Sequence, residues 1–178
     1  MPEGHTIHRA ARDHERDLGG RLLKVSSPQG RFDADALLDA AGRARLLRVE
    51  AHGKHLFYVF ERAAIVHVHL GLFGKFYRKR SPAPAARPTT RMRLEGEAVT
   101  IDLVGPTACD LLTPEQMRAI IARLGPDPLR DDADPKPFFA YVARSSTPIG
   151  AILLDQCRIC GVGNVYRAEV LHLLRLHP

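Results

Sequence analysis

Between Thr6 and Leu18 the apolar residues Ile7, Ala10, Ala11 and Leu18 recur at the spacing of one helix face, and Gly19-Gly20 ends the run. The spacing predicts one amphipathic helix at the start of the chain. The pattern then shortens into runs that favour strands, RLLKVSS, ARLLRVEA, HLFYVF, AIVHVHL, KFYR, TRMRLEG and AVTIDL, divided by glycines, charged residues and the loop SPAPAARP. Short strands so spaced predict a β-sandwich or barrel. The helical period returns in TPEQMRAIIARLGPDPL. There Thr113 is an N-cap, Pro114 suits the first helical position and Gln116 completes a capping box, while Met117, Ile120, Ile121 and Leu124 form the apolar stripe. GPDPLRDDADPKP, rich in Pro and Asp, reads as a linker between domains. After it, FFAYVAR and IGAILLDQ predict short helices, GVGN a turn, and Asn164 a cap for a helix from Val165 to Leu176. The expected fold is a multi-domain α+β chain: a β-sandwich domain with a leading helix over residues 1–112, a helix and linker over 113–136, and a small helical domain over 137–178.

Composition narrows the partners. A chain of 178 residues that is 45% hydrophobic can bury a core, and 26 Lys+Arg against 20 Asp+Glu give a net charge of +6 that suits a polyanion. No apolar run approaches the roughly 20 residues of a membrane span, and the polar start does not read as a secretory signal. A cytoplasmic location is the expectation. Three cysteines are too few and too odd in number for a disulfide framework. Cys157 and Cys160 have C-x-x-C spacing, but no second pair follows and Cys109 is distant, so two small buried residues are expected rather than a zinc site.

Four stretches can carry chemistry. In AIVHVHL, alternation puts His67 and His69 on one strand face and Val66, Val68 and Leu70 on the other. A metal would need a third ligand that is not visible nearby, which leaves a structural or phosphate-contacting role. HLGLFG places Leu72 and Phe73 in a glycine-flanked turn, where they either pack into the core or act as a wedge in a base stack. AHGKHLF puts Lys54 at a turn beside His52 and His55, within reach of water or of a phosphate. GVGNVYRAE offers close backbone approach and the free N–H groups of a helix start, which suits a phosphate, although it lacks the length and lysine of a nucleotide P-loop.

The opening MPEG admits two readings. Proline near a helix start is common because its missing N–H is not needed there. With Met1 removed, however, Pro2 would bear a secondary amine with a pKa of about 8, roughly a tenth of it neutral at pH 7. Such an amine can attack a sugar C1′ to give an iminium, with Glu3 beside it to move protons.

Taken in order, MPEG, GKHL, HLGLFG, LGPDPL and DQCRICGVGNVYRAEVL resemble the formamidopyrimidine-DNA glycosylase and endonuclease VIII family across almost the whole chain. The MPEGHT start and the DLVGPT segment look most like its actinobacterial endonuclease VIII-like branch. The resemblance implies a β-sandwich joined to a helix-two-turn-helix domain, with double-stranded DNA containing oxidised bases or abasic sites bound between them by a monomer in the bacterial nucleoid. It implies a flipped-out nucleotide, attack by Pro2 on C1′, proton transfer by Glu3, loss of the oxidised base and strand cleavage by elimination. It further implies that Lys54 is the catalytic, phosphate-contacting lysine, that His69 and Asn164 bind DNA, and that Leu72 fills the gap left by the flipped base.

Three departures modify this. His5-Thr6 stands where many members have a proline and a glutamate, which removes that second glutamate. LVGPTACD replaces an arginine-phenylalanine pair of the 8-oxoguanine-directed branch, which favours oxidised pyrimidines. The sequence stops at LRLHP, and nothing in it matches the family's zinc finger, so no cofactor is expected of these residues and activity on duplex DNA is expected to be weak or absent. The alternative from another class is a non-catalytic damaged-DNA-binding module; a metal-binding protein using His67, His69 and the cysteines ranks far below both.

Overall fold

The computed structural model describes residues 2–178; Met1, and with it the expectation that Met1 is removed, lies outside the described residues. The leading helix α1 spans Gly4–Leu18, two residues longer at its start than the apolar spacing predicts, because Glu3 takes the N-cap position with extended backbone at φ −120° and ψ 179°. Gly4, Ile7, Ala11, His14 and Leu18 face inward at helical spacing.

Eight strands follow: β1 Leu22–Ser26, β2 Ala44–His52, β3 His55–Phe60, β4 Ile65–His69, β5 Lys75–Arg80, β6 Thr90–Glu95, β7 Val99–Val104 and β8 Ala108–Leu112. All neighbouring pairs are antiparallel, in the order β5-β7-β6-β1-β2-β3-β4-β8. The sheet folds into a sandwich at the short β1–β2 pairing, where Leu22 meets Arg45 and Leu23 meets Ala44. Leu23, Val25, Met92, Leu94, Ile101 and Leu103 come from one layer, and Leu46, Leu56, Tyr58, Phe60, Val66 and Val68 from the other; with Ile7 and Leu18 of α1 they form one core. Burial of such side chains is the main favourable term holding the layers together.

Seven strands match the seven β-rich runs of the sequence, and β8 is an addition. It pairs with β4 from Ile65↔Leu112 to His69↔Ala108, yet only Cys109 along it is fully buried, so it has almost no apolar signal of its own. Tertiary pairing creates this strand, as β-propensity alone would not.

The second layer is buried on both faces. Helix α2, Pro114–Ile121, is capped by the reciprocal Thr113–Gln116 bonds the sequence predicts, and its Met117 packs on Phe57, Val59 and Ile65 with Ile120 and Ile121 beside it. Burial on both sides explains why HLFYVF is a continuous apolar run rather than an alternating one. On the outer face of the first layer, buried Arg93 donates from Nε and Nη2 to Asp102 at 2.6 and 2.8 Å, while Nη1 donates to the Pro84 carbonyl at 2.9 Å. The proline-rich loop is thereby drawn over the sheet.

Three further helices complete the described chain: α3 Lys136–Val142, α4 Ile149–Ile152 and α5 Asn164–Leu173. The expectation of two buried cysteines in C-x-x-C holds for Cys160 alone; Cys157, at a turn whose side faces solvent, is exposed.

His14 is an ionisable side chain that α1 sends into the core beside the sandwich, 2.7 Å from the Tyr58 hydroxyl through Nδ1. Burial lowers its pKa from 6.5 to about 4. Because the folded pKa lies below the unfolded one, the neutral ring contributes stability above pH 6.5 that is lost as the pH falls toward 4, on the order of 3 kcal/mol for a shift of this size. The melting temperature is expected to fall across that window, and less steeply in His14→Gln, which can still pair with Tyr58 but does not titrate; equal slopes in calorimetric scans would refute the assignment.

Candidate functional site

The GVGN turn and the amino terminus build each other. Gly161 has φ +90° and lies so near α1 that a Cβ on Gly4 would be 3.0 Å from the Gly161 Cα; the Gly4 N–H donates to the Gly161 carbonyl at 2.8 Å. A side chain at either position would separate the two backbones. Glu3 then turns its buried carboxylate toward the start of α5. Oε2 accepts the N–H of Gly163 at 3.0 Å and of Tyr166 at 3.3 Å, and Oε1 that of Val165 at 2.9 Å. These are donors that the first turn of a helix leaves unpaired, at the positive end of its dipole.

This corrects the cap assigned from sequence. Asn164 is the first residue inside α5, Gly163 occupies the N-cap position without a side chain, and Glu3 supplies the missing acceptor from the other end of the chain. A Cβ on Gly163 would be 2.5 Å from the Glu3 carboxyl carbon, so only glycine leaves room for it. The Asn164 side chain is exposed beside this junction.

A second buried carboxylate fixes the remaining approach. Asp127 accepts His8 Nε2 at 2.8 Å, the Gly53 N–H at 2.6 Å and the Leu129 N–H at 3.0 Å. It ties α1 and the β2–β3 turn to the segment after α2. Burial raises its pKa, but these hydrogen bonds outweigh burial and hold it below the ordinary carboxylate value. The same segment is joined to the GVGN turn, since the Gly125 N–H donates to the Gln156 carbonyl and the Cys160 N–H to the Pro126 carbonyl. Periodicity reads this stretch only as a linker. The signal that could have marked Asp127 is the LGPDPL motif itself, a carboxylate between two prolines whose turn leaves acceptors to be filled.

Lys54, at the β2–β3 turn as its glycine neighbour predicts, is half-buried. Burial lowers its pKa, partly offset by the nearby charge of Glu3. His69, at the end of β4, is also lowered by burial and then by the positive charge of Lys54. His67 and His69 share one face and Val66 and Val68 the other, as alternation predicts. Among the described residues no group of three or more His, Cys, Asp or Glu is arranged to hold a metal.

On the other side of Glu3, Pro2 opens on a cavity of about 440 Å³ lined also by Thr6, Arg9, Asp13, Leu72 and Tyr77. Leu72 is 62% exposed and Phe73 81%, so these two residues of the HLGLFG turn are not core packing, whereas Leu70 is. Pro2 and Leu72 thus face one space, while Glu3, Lys54, His69 and Asn164 gather around the α1–α5 junction. No described helix is long and apolar enough to cross a membrane.

Comparison with known proteins identifies the family and the fold. Residues 1–106 match the model of the formamidopyrimidine-DNA glycosylase N-terminal domain, and residues 124–178 that of the formamidopyrimidine-DNA glycosylase H2TH domain. The chain is 47% identical over 182 residues to endonuclease 8 1 of Mycobacterium tuberculosis, covering 100% of this chain and 67% of that protein. It is 36% identical over 187 residues to the probable endonuclease 8 2 of Streptomyces coelicolor, covering 100% and 65%. Among solved structures, the complex between Lactococcus lactis Fpg and abasic-site DNA superimposes with a TM-score of 0.78 at 20% identity, over 99% of this chain and 68% of that one. The chain spans about two thirds of the length of these relatives. With two family models covering most of its residues and the sandwich, helix order and GVGN turn in place, the chain belongs to the formamidopyrimidine-DNA glycosylase family.

Proposed function

We propose that the chain carries the catalytic centre of a base-excision-repair DNA glycosylase with abasic-site lyase activity, acting on oxidised bases, pyrimidines above all. The observation that carries this reading is the Glu3 bridge. It holds the amino terminus rigidly between α1 and α5 and leaves Pro2 facing an open cavity. The relatives are named as endonuclease 8, and the structural neighbour was solved with abasic-site DNA, which supports the same substrate class.

In this mechanism the Pro2 nitrogen, freed by loss of Met1, forms a bond to C1′ as the bond from C1′ to the damaged base breaks, and the departing base takes up a proton. The sugar ring opens to an iminium, and removal of a C2′ proton expels the 3′ phosphate by elimination. Glu3 moves these protons. A carboxylate has about four acceptor positions, and the α5 N–H groups occupy three of them. One on Oε1 therefore stays open to the proline nitrogen or the sugar. The same three N–H bonds fix its orientation to within the tolerance that proton transfer needs.

Lys54, His69 and Asn164 hold the phosphates flanking the lesion, and the exposed Leu72 enters the gap left by the flipped nucleotide, with Phe73 against the neighbouring base. Thr6 in the cavity wall, where many relatives have a glutamate, and LVGPTACD in place of an arginine-phenylalanine wedge favour pyrimidine lesions. Val165, Val170, Leu173 and Leu174 are exposed on α5 and just beyond it.

Borohydride reduction in the presence of excess protein and an abasic-site oligonucleotide is expected to give a covalent protein–DNA adduct, lost in Pro2→Gly and in protein that retains Met1. Binding without any adduct from correctly processed protein would leave the non-catalytic binding module as the reading. Gly163→Ala is expected to lower the trapping rate by about 100-fold or more with the carboxylate still present, since a displaced proton-transfer group forfeits most of its contribution; a wild-type rate would show that the Glu3 bridge is dispensable. Lys54→Ala should reduce the slope of log affinity against log salt by about one phosphate contact, whereas Asn164→Ala, which removes a neutral hydrogen-bonding group, should weaken binding with the slope unchanged. An unchanged slope for Lys54→Ala, or unchanged affinity for Asn164→Ala, in fluorescence titrations would return that residue to a structural role.

A further inference from the structure

The outer face of the second layer changes character along its length. Val59, Ile65 and Leu112 form an apolar row under α2. The next rows toward the Lys54 turn carry imidazoles instead: Phe57 opposite His67 opposite Asp110, then His52 opposite His55 opposite His69. His67 is as shielded from water as its apolar neighbours, at 6% exposure. Packing alone would be served better by valine or leucine there, because a buried polar ring is costly unless it is hydrogen-bonded.

The bond is present. His55 Nδ1 and His67 Nε2 are 2.9 Å apart, one ring donating its N–H to the other. The two rings are stacked with centroids 5.1 Å apart, and His55 also touches the ring of His69 at 5.1 Å with a 50° tilt. Phe57 stacks on His67 at 5.2 Å and on His55 at 6.4 Å, and Asp110 lies 3.9 Å from the remaining nitrogen, Nδ1, of His67. We propose that His55 and His67 are positioning residues: their hydrogen bond fixes the His55 ring, which in turn holds His69 toward Lys54 so that both meet the DNA phosphate together. The inference rests on the DNA-repair reading above.

The pair is suited to this task because it adds no charge beside Lys54 at neutral pH. Burial lowers the His55 pKa to about 3, helped by His67, His69, His52 and Arg123, and lowers that of His67 to about 4 against the opposing charge of Asp110. Lys54 is then left as the cation that His69 faces.

The test is a double-mutant cycle, read as binding of the full 178-residue chain to a duplex with one tetrahydrofuran abasic analogue in low salt. His67→Leu is expected to weaken binding about tenfold while the melting temperature holds, and His67→Gln, which can still bond to His55, to stay within about twofold of the wild type. Combined with Lys54→Ala, His67→Leu should cost nothing further, since residues that act through one another are not additive. Wild-type affinity in His67→Leu, or losses that add in the double variant, would overturn the positioning role. If His67→Leu does not fold, His55→Phe keeps the ring packing, removes the hydrogen bond and is carried through the same cycle with the same expectations. A wild-type chain that neither binds nor is trapped on abasic DNA defeats the DNA-repair reading and this inference with it; a wild type that binds and is trapped, with additive variants, defeats this inference alone.

Discussion

Three backbone N–H groups at the start of α5 close on the carboxylate of the third residue of the chain, and the geometry of the whole site follows from that contact. It joins segments some 160 residues apart, which makes it the most non-local constraint in the site. A helix start needs acceptors, a carboxylate removed from water needs donors, and each meets the need of the other. Glycines at 4, 161 and 163 let the two backbones come within reach. With Glu3 so held, α1 has one orientation and Pro2 one exit.

The Asp127 cluster secures a different pair of elements. Glu3 secures α1 against α5, while Asp127 secures α1 against the turn that carries Lys54. Two buried carboxylates therefore locate the amino terminus in two directions, and neither relies on an ion pair with arginine or lysine. The β-sandwich contributes rigidity: strands β3 and β4 deliver Lys54 and His69 at adjacent ends because His55 and His69 are in register. The candidate site groups come from the chain start, one hairpin turn, one strand end and one helix start, each held by backbone as much as by side chains.

Much of this was legible in the sequence. The leading helix, seven strands and the Thr113 capping box follow from periodicity and turn chemistry, because each depends on local pattern. The candidate residues Pro2, Glu3, Lys54, His69, Leu72 and Asn164 were marked by the resemblance and by their local motifs; the structure brings Glu3, Lys54, His69 and Asn164 around the α1–α5 junction and sets Pro2 and Leu72 on one cavity beside it. What escaped was non-local. β8 exists through its pairing with β4, Asp127 looked like linker until donors from His8 and Gly53 arrived from elsewhere, and the cap of α5 was assigned to its nearest polar residue when the acceptor came from Glu3. A local reading can find a donor without an acceptor. It cannot say which distant residue will fill the place.

Strand β5, KFYRKR, ends the sheet order, and its outer edge has no strand beside it. An unpaired edge invites another chain to add a strand. Lys75 and Arg80 lie along it, exposed to solvent, while Arg78 donates to Asp17 of α1 at 2.6 Å, and like charges brought face to face oppose such pairing. The positive charge that suits the protein to a polyanion therefore also opposes strand addition at this edge. Neutralising that strand to weaken non-specific binding would also expose an aggregation-prone edge.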